Sequence, residues 1–175
     1  MMSNSQQSKG IIAVFIFYLV LLSWVVLFKM QFSLADLSTT RQINLIPFYY
    51  DEETSGHVRE IIDNVLIFIP FGIYMRMAFR KLPVGTTILI IALTSLVFET
   101  LQFVLSIGAS DVTDIIANTM GAAFGIALYA LLARIAKSSA VRDKISVLDK
   151  IIVLVSAVLM ILAVAGVAFL LYVNQ

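Results

Sequence analysis

Five stretches of this sequence are apolar enough and long enough to cross a lipid bilayer as helices. They are residues 11–28, 61–79, 86–105, 112–136 and 151–173. Each crossing needs about 20 apolar residues, so a chain of 175 residues has no room for a separate soluble domain as well. The composition agrees, because 61% of residues are hydrophobic and only 13% are charged, against about 25% charged in soluble proteins. The sequence therefore predicts an all-α integral membrane bundle of five transmembrane helices.

The first apolar stretch is expected to be a retained anchor helix. Its run of apolar residues after Lys9 is too long for the apolar region of an ordinary signal peptide, and no small-residue cleavage motif follows it. The chain has no cysteine, which excludes disulfides and thiolate chemistry.

The distribution of basic residues predicts the orientation of the bundle. With a cytoplasmic N-terminus, nine of the twelve Lys and Arg residues fall on the cytoplasmic side, as the positive-inside rule requires. These nine are Lys9, Arg76, Arg80, Lys81, Arg134, Lys137, Arg142, Lys144 and Lys150. Five crossings then place the C-terminus outside the cytoplasm. There is no basic groove interleaved with exposed aromatic residues, so nucleic acid is not an expected partner.

Polar side chains form one stripe on each of two neighbouring helices. In the third stretch they are spaced i, i+4, i+7, and in the fourth i, i+3, i+7, which places each set on one helix face. The residues are Ser95, Glu99 and Gln102, and Asp111, Asp114 and Asn118. An ionised Asp in the middle of a membrane helix costs about 2.5 to 3.5 kcal/mol on insertion scales. We therefore expect the stripes to face a polar pocket on the extracytoplasmic side and not lipid.

The predicted pocket also takes residues from outside the two stripes. Asp63 and Asn64 lie in the second stretch, and Asn44 lies in the loop before it. The candidate binding residues are Asn44, Asp63, Asn64, Glu99, Gln102, Asp111, Asp114 and Asn118.

Two prolines and three glycines are expected to shape the backbone around this pocket. Pro70 lacks an N–H group, so the segment around Pro70 and Gly72 should be kinked or locally unwound. Gly121 and Gly125 have the small-xxx-small spacing that lets another helix approach closely. The loop containing Pro47 ends in Tyr49 and Tyr50, residues that suit the membrane interface, so it should fold back and cover the pocket.

Each polar group also has a purely structural interpretation. Glu99 and Gln102 can lock neighbouring helices together by hydrogen bonds. Asp111 and Asp114 can cap the helix that they open. Asp63 can form an ion pair with Arg59, four residues earlier. Several ionisable groups at one depth nevertheless favour a binding or reaction site over a set of independent structural contacts.

The ordered set of these motifs resembles the VanZ-like family of bacterial membrane proteins. The resemblance rests on residues 44–48 (NLIPF), 63–66 (DNVL) and 68–72 (FIPFG), followed by the two stripes and the paired glycines. It covers roughly residues 40–136, so residues 1–136 are expected to form a VanZ-like membrane domain with its anchor helix. Residues 137–175 should then add a cytoplasmic loop and a further C-terminal helix.

The resemblance implies a multi-pass protein of the bacterial cytoplasmic membrane that lowers susceptibility to teicoplanin, an antibiotic with a fatty-acyl tail. Its expected partners are membrane lipids, together with the lipoglycopeptide antibiotic or a lipid-linked cell-wall precursor bound at the outer leaflet. A homo-oligomer is compatible with so small a chain. No cofactor and no resident metal are expected.

Two other function classes remain open. The first is a membrane enzyme acting on a lipid-linked phosphate or sugar, with Glu99 or Asp114 as general acid or base and with Asp111 and Asp114 holding a divalent cation. The second is a lipid transporter, for which a broken helix and buried acids are typical, although the sequence shows no inverted repeat.

Overall fold

The computed structural model describes residues 4–28, 42–49, 54–107, 109–137 and 147–155. In chain order the elements are α1 (Asn4–Phe28), β1 (Gln42–Asn44), α2 (Thr54–Ala78), α3 (Val84–Leu105), β2 (Ala109–Asp111) and α4 (Val112–Lys137). Residues 147–155 are also helical.

Four of the described helices are long enough and apolar enough to cross a membrane. The qualifying segments are Lys9–Leu27, His57–Ala78, Val84–Leu105 and Val112–Ile135. The first four predicted stretches each lie in one of these helices, which is consistent with a membrane protein. Most of the fifth predicted stretch lies outside the described residues, so five crossings and the positions of the termini stay predictions.

A short parallel strand pair interrupts the helical architecture, and the all-α prediction missed it. Gln42, Ile43 and Asn44 of β1 align with Ala109, Ser110 and Asp111 of β2. Strand β1 lies between α1 and α2, and β2 lies between α3 and α4. Both connections are at the same end of the bundle. Pairing satisfies backbone N–H and C=O groups that no helix satisfies there. The strand pair thereby ties the segment before α2 to the start of α4.

Helices α2 and α4 approach so closely that glycines are required at the contact. A Cβ added to Gly72 would lie 1.9 Å from the carbonyl oxygen of Ala122. A Cβ at Gly121 would lie 2.1 Å from the oxygen of Val65, and one at Gly125 2.0 Å from that of Ile69. The small-residue face of α4 therefore packs against α2, which supplies a glycine of its own.

Helix α2 is continuous through Pro70. The sequence predicted a kink or local unwinding here, and no unwound segment interrupts the helix. Close packing of α4 on both sides of this turn supports the backbone where the proline leaves a carbonyl without its usual donor.

Helix α1 is attached to α2 by aromatic packing and one hydrogen bond. The ring of Phe15 lies 5.8 Å from the rings of both Phe71 and Tyr74. The hydroxyl of Tyr18 donates to the carbonyl oxygen of Ile67 at 2.5 Å.

A buried ion pair fastens the helical residues 147–155 to the rest of the chain. Asp149 is fully buried and accepts hydrogen bonds from Arg80 and from the Tyr129 hydroxyl, the latter at 3.0 Å. Arg80 follows α2 and Tyr129 belongs to the second half of α4. Three separate parts of the chain therefore meet at this end of the bundle.

Candidate functional site

A cavity of about 460 Å³ opens at one end of the helix bundle. Helices α1 and α3 contribute residues near their C-terminal ends, whereas α2 and α4 contribute residues nearer their N-terminal ends. This is the arrangement expected when consecutive helices alternate in direction. The lining residues are Val25, Val26, Arg59, Glu60, Asp63, Asn64, Leu66, Ile67, Glu99, Gln102, Asp114 and Asn118. We call this space the polar cavity.

Six of the eight predicted binding residues line the polar cavity: Asp63, Asn64, Glu99, Gln102, Asp114 and Asn118. The other two, Asn44 and Asp111, lie beside it in the strand pair. The two stripes thus come together at one depth with part of α2, while the strand pair borders the cavity.

Glu99 connects α3 to β2. Its side chain is buried, and its Oε2 accepts a hydrogen bond from the backbone N–H of Asp111 at 2.9 Å. The hydroxyl of Ser110 donates to the backbone carbonyl of Glu99 at 2.6 Å. The first contact holds the carboxylate at the wall of the cavity, and the two together hold β2 against α3.

Asp114 connects α4 to α2. The amide of Asn64 donates to Asp114 Oδ1 at 2.7 Å, and Asp114 is buried. The carboxylate lies in the first turn of α4, where the helix dipole favours a negative charge. The contact with Asn64 and the helix end therefore both hold a second carboxylate at the cavity.

Gln102 and Asn118 use their amide donors and leave their amide oxygens without a partner among the described residues. Gln102 Nε2 donates to the carbonyl oxygen of Val26 at 2.9 Å, and Asn118 Nδ2 donates to the hydroxyl oxygen of Ser95 at 2.8 Å. Both residues line the cavity and are 1% and 0% exposed. Buried polar atoms are almost always hydrogen-bonded, so these two oxygens are exceptions among the described residues.

Asp111 is engaged in holding the backbone. Its Oδ1 accepts from the backbone N–H of Thr113 at 2.7 Å, as in an N-terminal helix cap. Its Oδ2 accepts from the amide of Asn44 at 3.1 Å. Asp111 therefore acts as a helix cap. One carboxylate oxygen binds the first turn of α4, and the other binds Asn44 of the strand pair.

The described residues of the loop that follows β1, 45–49, pack beside the polar cavity and do not line it. Asn44 Oδ1 accepts from the N–H of Ile46, and the N–H of Phe48 donates to Thr113 Oγ1 at 3.0 Å. The described loop residues 44–49 contribute no lining to the cavity. The expected cover is therefore wrong for this part of the loop, because the Phe48 N–H anchors it to Thr113 at the start of α4.

Asp63 lies at the exposed edge of the cavity. Its carboxylate is 3.8 Å from the Arg59 guanidinium, one helical turn earlier, with side chains that are 56% and 86% exposed. An exposed pair of this kind contributes about 0.3 to 0.5 kcal/mol. The ion pair with Arg59 within α2 is therefore the ordinary explanation for a charged residue at position 63.

Glu60 also lines the cavity, and it was not among the predicted binding residues. The signal was present, since Glu60, Asn64 and Ile67 are spaced i, i+4, i+7 on α2. In the described part of the chain, no three acidic or histidine side chains are placed to hold a metal ion together.

Fold and cavity together define a class: helical bundles whose helices are long and apolar enough to cross a membrane and which enclose a polar cavity at one end. Within that class, the VanZ/LLP1 family model matches residues 15–133. The chain is 41% identical to Protein VanZ of Enterococcus faecium over 126 residues, which cover 71% of this chain and 74% of that protein. The chain therefore belongs to the VanZ/LLP1 family. No solved structure matches it.

Proposed function

We propose that this protein lowers bacterial susceptibility to teicoplanin or a related lipid-tailed antibiotic by binding the antibiotic, or the lipid-linked cell-wall precursor that it targets. The observation that carries the proposal is the polar cavity, at one end of a bundle that belongs to the VanZ/LLP1 family. Resistance to a lipid-tailed antibiotic by binding needs a site for an amphiphile, and the cavity is lined by both apolar and polar side chains.

The walls of the cavity combine two kinds of surface. Val25, Val26 and Ile67 present apolar side chains, while Glu99 and Asp114 present carboxylates. An amphiphile that lies with its polar group in the cavity and its tail along the apolar wall would satisfy both surfaces. A water-soluble ligand would leave the apolar wall unused.

The proposed location is the outer leaflet of the bacterial cytoplasmic membrane, in a multi-pass protein with its N-terminus in the cytoplasm. The basic residues of α2, of the turn after it and of α4 lie at the other end of these helices from the cavity residues. They are Arg76, Arg80, Lys81 and Arg134. Under the positive-inside rule, this basic end faces the cytoplasm. The cavity then opens toward the side on which cell-wall precursors are used.

The test is teicoplanin susceptibility in a Gram-positive host that expresses the wild type, Glu99→Gln or Asp114→Asn at matched membrane abundance. Both substitutions keep side-chain size and an acceptor oxygen for the existing hydrogen bonds. We expect the wild type to raise the inhibitory concentration and both variants to lose most of that protection.

Lys81→Ala is the matched control, because Lys81 is exposed in the turn after α2. Arg80 is unsuitable, since it holds the buried Asp149. A wild type that protects no better than the empty vector would refute the proposed function. Equal protection by the wild type and both cavity variants would refute the cavity as its site.

A further inference from the structure

We propose that residues 45–49, the loop that follows β1, lie in the interfacial layer of the bilayer at the cavity end of the bundle and contact lipid directly. The partner is the boundary between headgroups and acyl chains in the leaflet that surrounds this end. The contact does not depend on the proposed antibiotic function. Three observations support it: the depth at which the loop is attached, the side chains that it exposes and the pairing of its backbone.

The loop is attached to the first turn of a membrane-spanning helix. The N–H of Phe48 donates to Thr113 Oγ1 at 3.0 Å, and Thr113 is fully buried. The part of α4 that is long enough and apolar enough to cross a membrane begins at Val112. Phe48 therefore lies level with the end of a membrane span.

The strand pair that carries the loop lies alongside α3 and does not stand beyond its end. The hydroxyl of Ser110 in β2 donates to the carbonyl of Glu99 at 2.6 Å. Glu99 lies about 9 Å from the end of α3, at about 1.5 Å per residue. The large apolar side chains that α3 exposes over this stretch are Leu101, Val104 and Leu105. The strand pair is therefore at a depth where the outside of the bundle is apolar.

The loop itself presents apolar side chains to its surroundings. Leu45, Ile46, Phe48 and Tyr49 are 75%, 58%, 56% and 51% exposed, and Ile43 of β1 is 55% exposed. Residues 42–49 contain no Lys, Arg, Asp or Glu. An exposed apolar patch indicates an interaction site, and tyrosine is enriched where a bilayer meets water. Because this patch continues the apolar outside of α3, the bilayer is the partner that fits it.

The backbone of the loop is paired in the way that contact with lipid requires. Every N–H group of residues 46–49 donates a hydrogen bond, and Pro47 has no N–H. The acceptors are Asn44 Oδ1, Thr113 Oγ1 and the carbonyl of Ile46. Lipid offers no partner to an unpaired backbone group, whereas water would satisfy these donors without help. Paired donors together with exposed apolar side chains therefore favour lipid over water.

Contact between the loop and lipid would also set the depth of the polar cavity. The loop continues from Asn44, whose Nδ2 donates to Asp111 Oδ2 at 3.1 Å. The backbone N–H of Asp111 in turn donates to Glu99 Oε2 in the cavity wall at 2.9 Å. The loop, the strand pair and the cavity wall are thus connected by hydrogen bonds, so the cavity opens at the level of the lipid headgroups.

The experiment is electron paramagnetic resonance of single spin-labelled cysteines in the full-length protein, reconstituted in phosphatidylcholine bilayers. The chain has no cysteine of its own, so Leu45→Cys and Ile46→Cys each give one label. Collisions with oxygen, which partitions into lipid, and with a nickel chelate, which stays in water, report the depth of each label. Leu93→Cys, at an exposed position in the middle of α3, marks the bilayer interior, and Lys81→Cys, in the exposed turn after α2, marks water.

We expect the labels at positions 45 and 46 to collide more often with oxygen than with the nickel chelate. Their depth should lie between those of the two markers. Collision rates that match Lys81→Cys would place the loop in water. Low rates with both reagents would mean that a second copy or another protein covers it. Either result would overturn the proposal.

The charge of the lipid tests whether the contact is apolar. Because residues 42–49 carry no charge, the labels should have the same depth in phosphatidylcholine and in bilayers that contain phosphatidylglycerol. Insertion in the anionic bilayer alone would contradict an apolar contact. Labels in lipid in a protein that fails to protect cells would support this inference and refute the proposed function. Labels in water in a protein that protects would have the opposite meaning.

Discussion

Ser106 and Phe48 both have positive φ angles, 55° and 59°, although neither is glycine. Each lies in a segment next to the strand pair. Phe48 is the third residue of a turn in which the N–H of Tyr49 donates to the carbonyl of Ile46 at 3.3 Å. A bulky residue in this region of φ is strained, and the hydrogen bond from the Phe48 N–H to Thr113 Oγ1 of α4 helps to hold the turn in place.

Ser106→Gly should stabilise the protein. Ser106 ends α3 in the left-handed conformation, with the N–H of Ile107 donating to the carbonyl of Gln102 at 3.1 Å. A Cβ costs about 1 to 2 kcal/mol in the left-handed conformation, whereas the greater loss of backbone entropy by glycine costs about 0.5 to 1 kcal/mol, so the net effect should be a small gain in stability. Thermal unfolding in detergent should show a higher midpoint.

Ser106→Ala is the control and should give no increase, since alanine retains the Cβ. A lower midpoint for Ser106→Gly than for the wild type would show that the serine side chain contributes more than its backbone strain removes.

The residue pattern predicted which polar side chains meet, but not what each one contacts. Helical spacing brought Glu99, Gln102, Asp114 and Asn118 to one place. It could not reveal that Gln102 bonds to the carbonyl of Val26, because a backbone acceptor carries no residue-type signal. Nor could it separate Asp111, a helix cap, from Asp114, which lines the cavity.

The contact between α2 and α4 tolerates no added methyl group. Gly72→Ala, Gly121→Ala and Gly125→Ala each place a Cβ about 2 Å from a backbone oxygen of the facing helix. Backbone atoms cannot move aside as side chains do, so the helices must separate. We expect loss of monodisperse protein or a large drop in the unfolding midpoint for each.

Gly85→Ala is the matched control, because a Cβ at Gly85 in α3 meets nothing within 4 Å. Alanine in a helix is favoured over glycine by about 0.5 to 1 kcal/mol, so this variant should be as stable as the wild type or more so. Wild-type stability of Gly121→Ala would mean that the helices are farther apart than described.

Removing Arg80 should destabilise the protein more than neutralising Asp149 does. Arg80→Ala leaves a fully buried carboxyl without its cation, and breaking a buried pair costs about 3 to 5 kcal/mol. The cost here should be smaller, because Arg80 is 47% exposed. Unfolding midpoints should fall in the order wild type, Asp149→Asn, Arg80→Ala, and the double variant should recover part of the Arg80→Ala loss.

Desolvation by burial raises the pKa of Asp149 above its ordinary value, and the Arg80 charge opposes that increase. The Asp149 carboxyl therefore binds its proton more tightly in the folded protein than in the unfolded chain. The protonated carboxyl contributes fully to the free energy of unfolding below about pH 4, and this contribution declines as the pH rises through the raised pKa. Without Arg80 the pKa rises further, and the deficit of Arg80→Ala should be larger at pH 7 than at pH 4. A deficit that is independent of pH would assign the loss to packing.

Among the elements, the long helices were predictable and the strand pair was not. The first four apolar stretches are 18, 19, 20 and 25 residues long, within the range of about 17 to 25 residues of a helix that crosses a bilayer. Each strand has only three residues, too few for an alternating pattern to emerge. The pairing depends on where α2, α3 and α4 place the strand ends, which is decided by tertiary packing.

The orientation of the whole molecule can be tested by labelling single cysteines, because the chain contains none. Arg59→Cys lies at the cavity end, where its side chain is 86% exposed, and Lys81→Cys lies in the exposed turn after α2. A membrane-impermeant maleimide should label Arg59→Cys in intact cells and Lys81→Cys only after permeabilisation. The reverse pattern would place the cavity on the cytoplasmic side.

The parallel pairing of residues 42–44 with residues 109–111 also has a consequence for the order of biosynthesis. A ribosome completes β1 first, then α2 and α3, and only afterwards the strand that pairs with β1. Asp114 and Asn118 emerge later still. A nascent chain that stops before β2 would carry Asn64 and Glu99 into the bilayer without Asp114 and the Asp111 N–H, the partners described above. The wall of the cavity is therefore completed late, when α4 inserts against α2.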